Sequence, residues 1–442
     1  MIHQEQSITN SLALELKTLF AEKYHTVRSH STHLCSPLKT EDYVVQPMQD
    51  VSPPKWHLAH TTWFFEQFIL KPYKKDYRVF DEAYSYVFNS YYESMGEKML
   101  RDHRGNMTRP STEDVYQYRE YVDQQMLELM NTAAFDVQTE LVQLTELGLH
   151  HEQQHQELLA TDIKYILGNN PLFPAYHQPS DLWKSNVNIN KQEYIEIEGG
   201  NYPVGFQGDS FHYDNEEGHH QVYLHNFRIL NRLITNGEYL DFMEAGGYKN
   251  YDLWLADGHA FILQNNINAP LYWHKVDGKW YYYTLHGLQP VDLHAPVTHV
   301  SHYEADAFAR WQEKRLPTEQ EWETLCRLTG YDKNAHRLGK ANFVETGLLQ
   351  PQPLQIEGTD QVPVQMMGDV WEWTQSAYLP YPFYKRERGA LGEYNGKFMS
   401  NQMVLRGGSC ATPESHMRHT YRNFFQPDKR WQFTGIRLAE YF

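Results

Sequence analysis

Apolar residues in the first 170 positions recur every three or four residues, which is the repeat of a helix packed along one face. The pattern predicts four long helices. The third of them opens on Ser111-Thr112-Glu113-Asp114, which resembles a capping box. The first helix is marked by Ile8, Leu12, Leu16 and Leu19, and the others span 53–71, Ser111 to Asn131 and Asp136 to Leu167. Four long helices predict a helical bundle.

The pattern changes from about Tyr194 onward. Short alternating runs, typical of strands, are interrupted by frequent Gly, Pro, Asn and Trp. The clear helices predicted here are Thr235 to Glu244, Tyr303 to Lys314 and Thr318 to Leu328. Because 442 residues exceed what one core usually organises, we expect an α+β protein of two domains. The predicted bounds are 1–170 for the helical domain, 171–193 for a linker and 194–442 for the second domain.

The chain carries a net charge of −17, with a pI near 5.8, and no basic face is visible that would offset phosphate. We therefore expect no nucleic-acid partner. No stretch approaches the roughly 18 apolar residues of a membrane span, and the N-terminus lacks a basic segment followed by an apolar run. These features predict a cytoplasmic protein with no membrane partner. Cys35, Cys326 and Cys410 lie too far apart in sequence for a disulfide framework or a CxxC metal site, and Cys326 is expected in the core.

Histidines fall on the apolar faces of two predicted helices. His151 and His155 are four residues apart, so their imidazoles lie on one face and can bind a single divalent metal. Upstream, His60 falls on the stripe of Trp56 and Trp63, and His57 is a reserve candidate. Two helices that meet in a bundle can supply three nitrogen ligands. The ligand type alone does not separate iron from zinc.

An alternative interpretation starts from Glu152. The segment His151-Glu152-Gln153-Gln154-His155 matches HExxH, the zincin signature, in which the Glu is general base to a zinc-bound water. A zincin takes its third ligand downstream, whereas this helix runs into Gly168-Asn169-Asn170-Pro171. A zincin-like metallohydrolase therefore remains a distant alternative.

A long irregular insertion separates the second and third helices. It reads VFNSYYESMGEKMLRDHRGNMTRPST and is rich in polar residues, Tyr and Arg. Loops of this length within compact domains are commonly functional. Its side chains are therefore candidates for the same site as the histidines.

The second half carries strings that indicate a family: HVSHYEADAFARW at 299–311, RLPTEQEWE at 315–323, GDVWEWT at 368–374, LRGGSC at 405–410 and FTGIRLA at 433–439. Together they resemble the formylglycine-generating-enzyme/sulfatase-modifying domain, whose fold is related to C-type lectins. These strings identify the fold rather than the chemistry, and we expect Trp322, Trp371, Trp373 and Arg406 to hold its core. Formylglycine-generating enzymes act through a cysteine pair near the end of the domain. This chain has only Cys410 there, which disfavours that oxidase chemistry.

The combination of such a domain with a DinB-like four-helix bundle bearing WHLAH and HEQQHQE resembles the ergothioneine-biosynthetic sulfoxide synthases, the EgtB family. These enzymes use non-haem iron and O2 to join a cysteine sulfur to the imidazole C2 of hercynine, and they oxidise the sulfur to a sulfoxide. The resemblance covers nearly the whole chain. It implies that His60, His151 and His155 bind Fe(II), that Gln154 contacts the hercynine imidazole, and that the active site lies between the two domains.

Further roles follow from the same resemblance. Asn423 and Phe424 occupy positions that contact hercynine in actinobacterial relatives, where the aromatic residue is Trp. Those relatives have an Asp at the position of Phe425, associated with the amino group of gamma-glutamylcysteine. Phe425 cannot make that contact, so the sequence predicts free cysteine as the sulfur donor, with Arg101 and Arg104 as carboxylate anchors.

The proton donor has two candidate locations. Actinobacterial members use a Tyr from the C-terminal domain, for which Tyr381 and Tyr384 are available. A second subgroup uses a tyrosine pair that Tyr91 and Tyr92 resemble, and the Phe-Phe at 424 and 425 also belongs to that subgroup. We therefore favour Tyr91 and Tyr92, because a phenol held near the reacting oxygen can donate a proton with little motion.

Other functions remain open from the sequence. The donor could be gamma-glutamylcysteine or a selenium compound, and the acceptor could be histidine, as in ovothiol biosynthesis. A non-catalytic binding module is a further alternative, since both folds occur without activity. The sequence gives no oligomeric state.

Overall fold

The computed structural model describes residues 2–132, 140–177, 192–336, 341–355 and 361–442, with side chains from Lys17 onward. The chain forms two compact units. The first comprises Met1–Asn169 and Arg388–Glu393, and the second comprises Asn170–Glu387 and Tyr394–Phe442. Most of the predicted linker, 178–191, and the predicted start of the fourth helix at Asp136 lie outside the described residues.

The first unit is helical, as predicted. The helix predicted over 53–71 is an almost continuous stretch in which a π-helical turn, Glu66–Leu70, follows α2. Helix α2 packs against α5 and α6, and α1 packs against α6. The helices are α1 (Ile2–Cys35), α2 (Pro54–Phe65), α3 (Lys71–Tyr73), α4 (Tyr84–Val87), α5 (Thr112–Met130) and α6 (Glu140–Gly168).

Local sequence sets the starts of α2 and α5. Pro53 is the N-cap of α2 and Pro54 its first residue, where the missing N–H of proline costs nothing. Ser111 caps α5: its hydroxyl accepts the Asp114 N–H, and the Asp114 carboxylate accepts the Ser111 N–H at 2.8 Å. The capping box expected from the sequence is confirmed.

Helix α1 is longer than its apolar pattern indicates. It continues to Cys35, and Leu19, one of the residues that marked it, is exposed. Its described buried face includes Arg28 and Ser31, which hydrogen-bond a buried carboxylate on α6. Because this part of the buried face of α1 is polar, the apolar pattern did not reveal how far the helix continues.

The second unit is a mixture of short strands and helices. Helices α7, α9 and α10 correspond to the three predicted helices, although α9 ends at Trp311 rather than Lys314, and α8 was not predicted. The helices are α7 (Asn236–Glu244), α8 (Ala256–Gln264), α9 (His302–Trp311) and α10 (Glu319–Leu328). The strands are β1 (Tyr194–Ile197), β2 (Gly200–Val204), β3 (His220–Leu224), β4 (Phe227–Leu230), β5 (Trp273–Val276), β6 (Lys279–Thr284), β7 (Gly287–Pro290), β8 (Trp371–Ala377), β9 (Met403–Arg406), β10 (Asn423–Phe425), β11 (Thr434–Gly435) and β12 (Ala439–Tyr441).

These strands form small sheets rather than one large sheet. The largest sheet of the described residues has the order β10-β9-β8-β11, and two three-stranded sheets have the orders β1-β4-β12 and β5-β6-β7. Strands β2 and β3 form a separate antiparallel pair. Strand β12 lies beside β4, so the last described strand closes onto the start of this unit.

The family strings meet in the core of the second unit. Trp322, Trp371, Trp373 and Arg406 are all buried, as is Cys326, so the expected core roles are confirmed. Arg406 pairs with Glu323 on α10, and Arg437 binds Glu372 on β8 at 2.7 Å. The Trp322 Nε1–H donates to the same Glu372 carboxylate at 3.0 Å. Buried ion pairs therefore join the strings, which explains why they are charged as well as aromatic.

None of the helices within the described ranges combines the length and the apolar character that crossing a membrane requires.

We predict that Glu323→Gln destabilises the second unit by about 3–5 kcal/mol, because it leaves the buried guanidinium of Arg406 without its carboxylate. Burial alone would raise the pKa of Glu323, but Arg406 and Arg327 hold it below its ordinary value. Arg310→Gln is the control: it breaks an exposed pair with Asp306 and should cost at most about 1 kcal/mol. Equilibrium denaturation of both variants checks the difference, and equal losses would contradict a core role for this ion pair.

Candidate metal centre

Three buried histidines from two helices converge in the first unit. His60 on α2 and His151 and His155 on α6 each offer a nitrogen atom, and these atoms all lie within 4.8 Å of one another. Their ring centroids are 4.7 to 4.9 Å apart. A group of histidines this close together could hold one metal ion after small side-chain adjustments, since metal–nitrogen bonds are roughly 2.0–2.1 Å long.

Aromatic rings fix the position of His60. The indole of Trp56, one turn earlier on α2, stacks on the imidazole at 4.6 Å, and that of Trp63 stacks at 5.6 Å. The His60 Nδ1–H donates to the backbone carbonyl of Phe88 at 2.6 Å. Its Nε2 therefore carries the lone pair, and that atom has no hydrogen-bond partner among the described residues. A buried lone pair without a donor fits a metal ligand.

Burial keeps these imidazoles neutral. It lowers the pKa of His151 to about 3, and it lowers the pKa values of His60 and His155 well below the ordinary range. The imidazoles also disfavour charge on one another, as His151 does for both His60 and His155. Neutral imidazole is the form that binds metals, so no proton has to be displaced near neutral pH.

The reserve candidate, His57, does not belong to this group of three. Its Nδ1 lies 2.9 Å from His155 Nδ1, and its Nε2 lies 3.0 Å from Asp162 Oδ2. Both ring nitrogens are thus engaged in hydrogen bonds within the protein. His57 contacts a ligand rather than serving as one.

Glu152 has a different environment from the neighbouring histidines. Its carboxylate is fully buried, accepts hydrogen bonds from Arg28 at 2.9 Å and Ser31 at 2.6 Å, and pairs with Arg119. Burial alone would raise its pKa, but Arg119 and Arg28 outweigh it and lower the pKa to about 2. A carboxylate held by two guanidiniums is a poor proton acceptor, so the geometry disfavours the zincin alternative.

Gln154 is half-buried on α6, three residues after His151 and one before His155. Residues three apart on a helix are neighbours on its surface. The structure therefore places Gln154 beside His151, while its contact with a substrate remains a prediction.

The two loop arginines differ. Arg104 is buried, with its guanidinium 3.4 Å from the centre of the Trp56 ring. It donates to the Ser52 hydroxyl at 2.9 Å and to the Ser90 hydroxyl at 3.0 Å, and no carboxylate lies within ion-pair distance among the described residues. Burial lowers the pKa of Arg104 well below its ordinary value. Arg101 is exposed and donates to the Asp50 carbonyl at 2.5 Å, so only one of the pair is a buried cation.

Tyr92 is fully buried against the histidine cluster, with its ring centroid 6.2 Å from that of His151 and 6.4 Å from that of His60. Tyr91 stacks on Tyr92 at 4.7 Å. The alternative tyrosines lie in the second unit. There Tyr381 donates to Glu319 at 3.1 Å and Tyr384 donates to Asp214 at 3.0 Å.

Asn423, Phe424 and Phe425 form β10 in the second unit, and all three are half-buried. The Asn423 Oδ1 accepts the Phe424 N–H at 2.9 Å. One face of Phe424 stacks on Tyr378 at 4.1 Å, and Phe425 packs edge-on against Trp431 at 5.5 Å. Their roles toward a substrate remain predictions.

Sequence reasoning missed several residues that support the cluster. Asp162 follows His155 by seven residues, which is two helical turns, so its place on the same face was available from the spacing. Arg28 and Arg119 occur within apolar helical stripes, which is a signal for a buried acidic partner. The Phe88 carbonyl leaves no signal in the sequence, because a backbone atom is common to every residue.

Comparison with known proteins defines the class of each part of the chain. Residues 23–159 match the DinB superfamily, and residues 179–441 match the sulfatase-modifying factor enzyme 1-like domain. The fold and the histidine cluster thus define a DinB-like helical domain with a candidate metal centre, followed in sequence by a formylglycine-generating-enzyme-like domain.

Similarity to proteins of known function narrows the class. Hercynine oxygenase from Mycolicibacterium smegmatis is 31% identical over 66% of this chain and 70% of the relative, and that from Mycolicibacterium thermoresistibile is 29% identical over 65% and 67%. Ergothioneine biosynthesis protein 1 from Schizosaccharomyces pombe is 30% identical over 52% of this chain and 28% of its own length. The chain belongs to the hercynine oxygenase family and is an enzyme of the oxygenase class.

We predict that Glu152→Gln destabilises the first unit by about 3–5 kcal/mol, because Arg28 and Arg119 lose a buried carboxylate. The ion pairs stabilise the wild type fully above pH 4.5, the ordinary pKa of the group, and are lost as the pH falls from 4.5 toward about 2. The variant should therefore lose less stability than the wild type over that interval. At neutral pH, where the imidazoles are uncharged, its folded form should still bind metal. Unfolding curves at several pH values check this. If the protein were a zincin, Glu152→Gln would instead leave its stability unchanged and abolish its hydrolytic activity.

Proposed function

We propose that this protein is an iron(II)- and O2-dependent sulfoxide synthase that joins the sulfur of cysteine to the imidazole C2 of hercynine in ergothioneine biosynthesis. One observation carries the proposal: a member of the hercynine oxygenase family holds three neutral, buried imidazoles whose ligand atoms lie within 4.8 Å of one another. The names of the relatives supply hercynine and the pathway. Iron and cysteine follow from the resemblance described above.

The ligand set suits the proposed metal. Three neutral nitrogens leave the ion its full positive charge and open positions for anionic ligands. A bound iron(II) ion would supply the one-electron chemistry through which O2 acts as an oxidant. His60, His151 and His155 would hold it, and the indoles of Trp56 and Trp63, which both stack on His60, restrict the orientation of its ring.

The balance of the reaction shows what the side chains have to do. The thiol loses its S–H proton and the imidazole loses the proton on C2, while a C–S bond and an S–O bond form. One oxygen atom of O2 remains on sulfur and the other leaves as water. Four electrons pass from the substrates to O2, so no external reductant is required. The protein has to bind both substrates and move two protons to the departing oxygen.

Tyr91 and Tyr92 are our proposed proton donors. Tyr92 packs against His60 and His151, and Tyr91 stacks on Tyr92, so the pair lies beside the proposed metal. Tyr381, the alternative, lies in the second unit, where it donates its hydroxyl proton to Glu319 and its ring contacts the guanidinium of Arg422. A phenol fixed beside the cluster can deliver a proton over a short distance.

Arg104 is our proposed anchor for the carboxylate of cysteine. Its guanidinium lies over the ring of Trp56, which also stacks on His60, so a single indole contacts both the buried cation and a proposed ligand. Its hydrogen-bond partners Ser52 and Ser90 are neutral hydroxyls, and the buried carboxylate of Asp162 acts on its charge only from beyond ion-pair distance. A substrate carboxylate would supply a direct anionic partner through strong charge-assisted hydrogen bonds. Arg101, exposed in the same short 3-10 helix, Arg101–Asn106, would assist.

The remaining assignments concern specificity. Gln154, beside His151, would contact the hercynine imidazole. Asn423 and Phe424 would contact the rest of hercynine, where an aromatic face near a trimethylammonium group contributes roughly 0.5–2 kcal/mol. Phe425 offers no acceptor for the amino group of gamma-glutamylcysteine, which favours cysteine.

We predict that His155→Ala abolishes both metal binding and turnover, because two imidazoles cannot retain the ion. Iron-loaded protein is mixed anaerobically with hercynine and cysteine, O2 is admitted, and the products are identified by mass. The wild type should form the sulfoxide adduct and the variant none. The exposed residue His33 provides the control His33→Ala, which should match the wild type. Full activity of His155→Ala would refute the metal assignment.

We predict that the wild type prefers cysteine to gamma-glutamylcysteine, and that Phe425→Asp shifts the ratio of the two kcat/KM values toward gamma-glutamylcysteine. The introduced carboxylate can accept from the amino group of the longer donor. Phe383→Asp is the matched control, because Phe383 is 81% exposed. A wild-type preference for gamma-glutamylcysteine, or for histidine over hercynine, would refute the substrate assignment and leave the synthase assignment intact.

A further inference from the structure

A chain of hydrogen bonds runs from the protein interior to one of the proposed ligands. The Oδ2 atom of Asp162 accepts the Ser52 N–H at 2.8 Å and lies 3.0 Å from His57 Nε2. The other nitrogen of His57, Nδ1, lies 2.9 Å from His155 Nδ1. All four residues are buried, so no bulk water competes for these contacts.

The donors and acceptors in this chain can run in one direction. The carboxylate of Asp162 accepts, so the hydrogen between it and His57 lies on His57 Nε2. A neutral imidazole carries one N–H, so His57 Nδ1 is left as an acceptor. The hydrogen between the two rings must then lie on His155 Nδ1. This arrangement leaves the lone pair of His155 on Nε2.

The same outcome is reached at His60 by a shorter route. There the Nδ1–H donates directly to the backbone carbonyl of Phe88, and Nε2 carries the lone pair. Both histidines thus present Nε2 because Nδ1 is fixed by a hydrogen bond. His155 needs two further side chains for the purpose, and each of them is buried.

We propose that His57 and Asp162 are positioning residues that hold His155 in the tautomer and ring orientation required for metal binding. The inference rests on the proposed metal centre and adds to it two residues that do not bind the metal. It also explains why His57 and Asp162 are buried at positions where apolar residues would otherwise be sufficient. Outer partners of this kind typically change metal affinity by roughly 10–100-fold when they are removed.

The first test compares His57→Phe with His57→Asn. Phe keeps the ring and removes the acceptor, whereas the Asn side-chain oxygen can take the place of Nδ1 and accept from His155. Anaerobic titration with Fe(II), and with Co(II) as a visible-spectrum probe, measures the dissociation constant. We expect roughly 10–100-fold weaker binding for Phe, with an altered Co(II) spectrum, and recovery of most of the affinity for Asn.

The second test compares Asp162→Asn with Asp162→Ala. The backbone N–H of Ser52 only donates, so an Asn at this position should direct its oxygen toward Ser52 and His57, as the carboxylate does. Asn should therefore retain binding within a few-fold of the wild type. Ala removes the acceptor and should weaken binding as His57→Phe does.

Controls separate positioning from folding. His33→Phe, at an exposed histidine of α1, should bind both metals like the wild type. The melting temperature of each metal-free variant shows whether it folds, and if His57→Phe does not fold, the two Asp162 variants decide the question. Wild-type affinity and an unchanged Co(II) spectrum in folded His57→Phe or Asp162→Ala would overturn the inference. Absence of metal binding in the wild type would refute the metal centre itself.

Discussion

The burial of the Glu152 carboxylate between two guanidiniums constrains the rest of the first unit. Removing a carboxylate from water costs several kcal/mol unless charged partners surround it. Glu152 meets this requirement only if α6 turns it toward Arg28 on α1 and Arg119 on α5. Consecutive helical positions differ in direction by about 100°. The rotation that satisfies Glu152 therefore turns His151 and His155 toward α2, where His60 completes the cluster.

The cluster itself works against stability. Imidazole nitrogens in a dry core cost about 1–3 kcal/mol each when they lack partners, and Nε2 of His60 has none among the described residues. The fold offsets this cost with stacked indoles, a backbone carbonyl and the ion pairs of Glu152. A metal that binds only the folded state would raise the free energy of unfolding and so offset part of this destabilisation. Function and stability are thus coupled through the same few side chains.

How far the sequence predicts this arrangement depends on the signal that each residue leaves. The i, i+4 pair and the stripe through His60 are periodic, so the triad was accessible to pattern analysis. The direction of Glu152 was not, because HExxH has the same letters whether the Glu faces the metal or two distant arginines. His57 was accessible as a histidine on the right helix but not as a partner of Asp162, since that contact joins residues 105 positions apart. Spacing identifies which residues share a helical face, whereas their partners depend on how the helices pack.

The contrast among three buried arginines bears on function. Arg28 and Arg119 share Glu152, and Arg28 also binds Asp123 at 2.7 Å. Arg104 is also buried, yet its direct contacts are two hydroxyls and the face of Trp56, and the Asp162 carboxylate acts on it only from beyond ion-pair distance. The bundle demonstrably supplies a carboxylate to a buried guanidinium where the purpose is structural. The absence of a direct carboxylate at Arg104 is the reason for proposing it as the anchor of a substrate carboxylate, and the same indole, Trp56, contacts both Arg104 and His60.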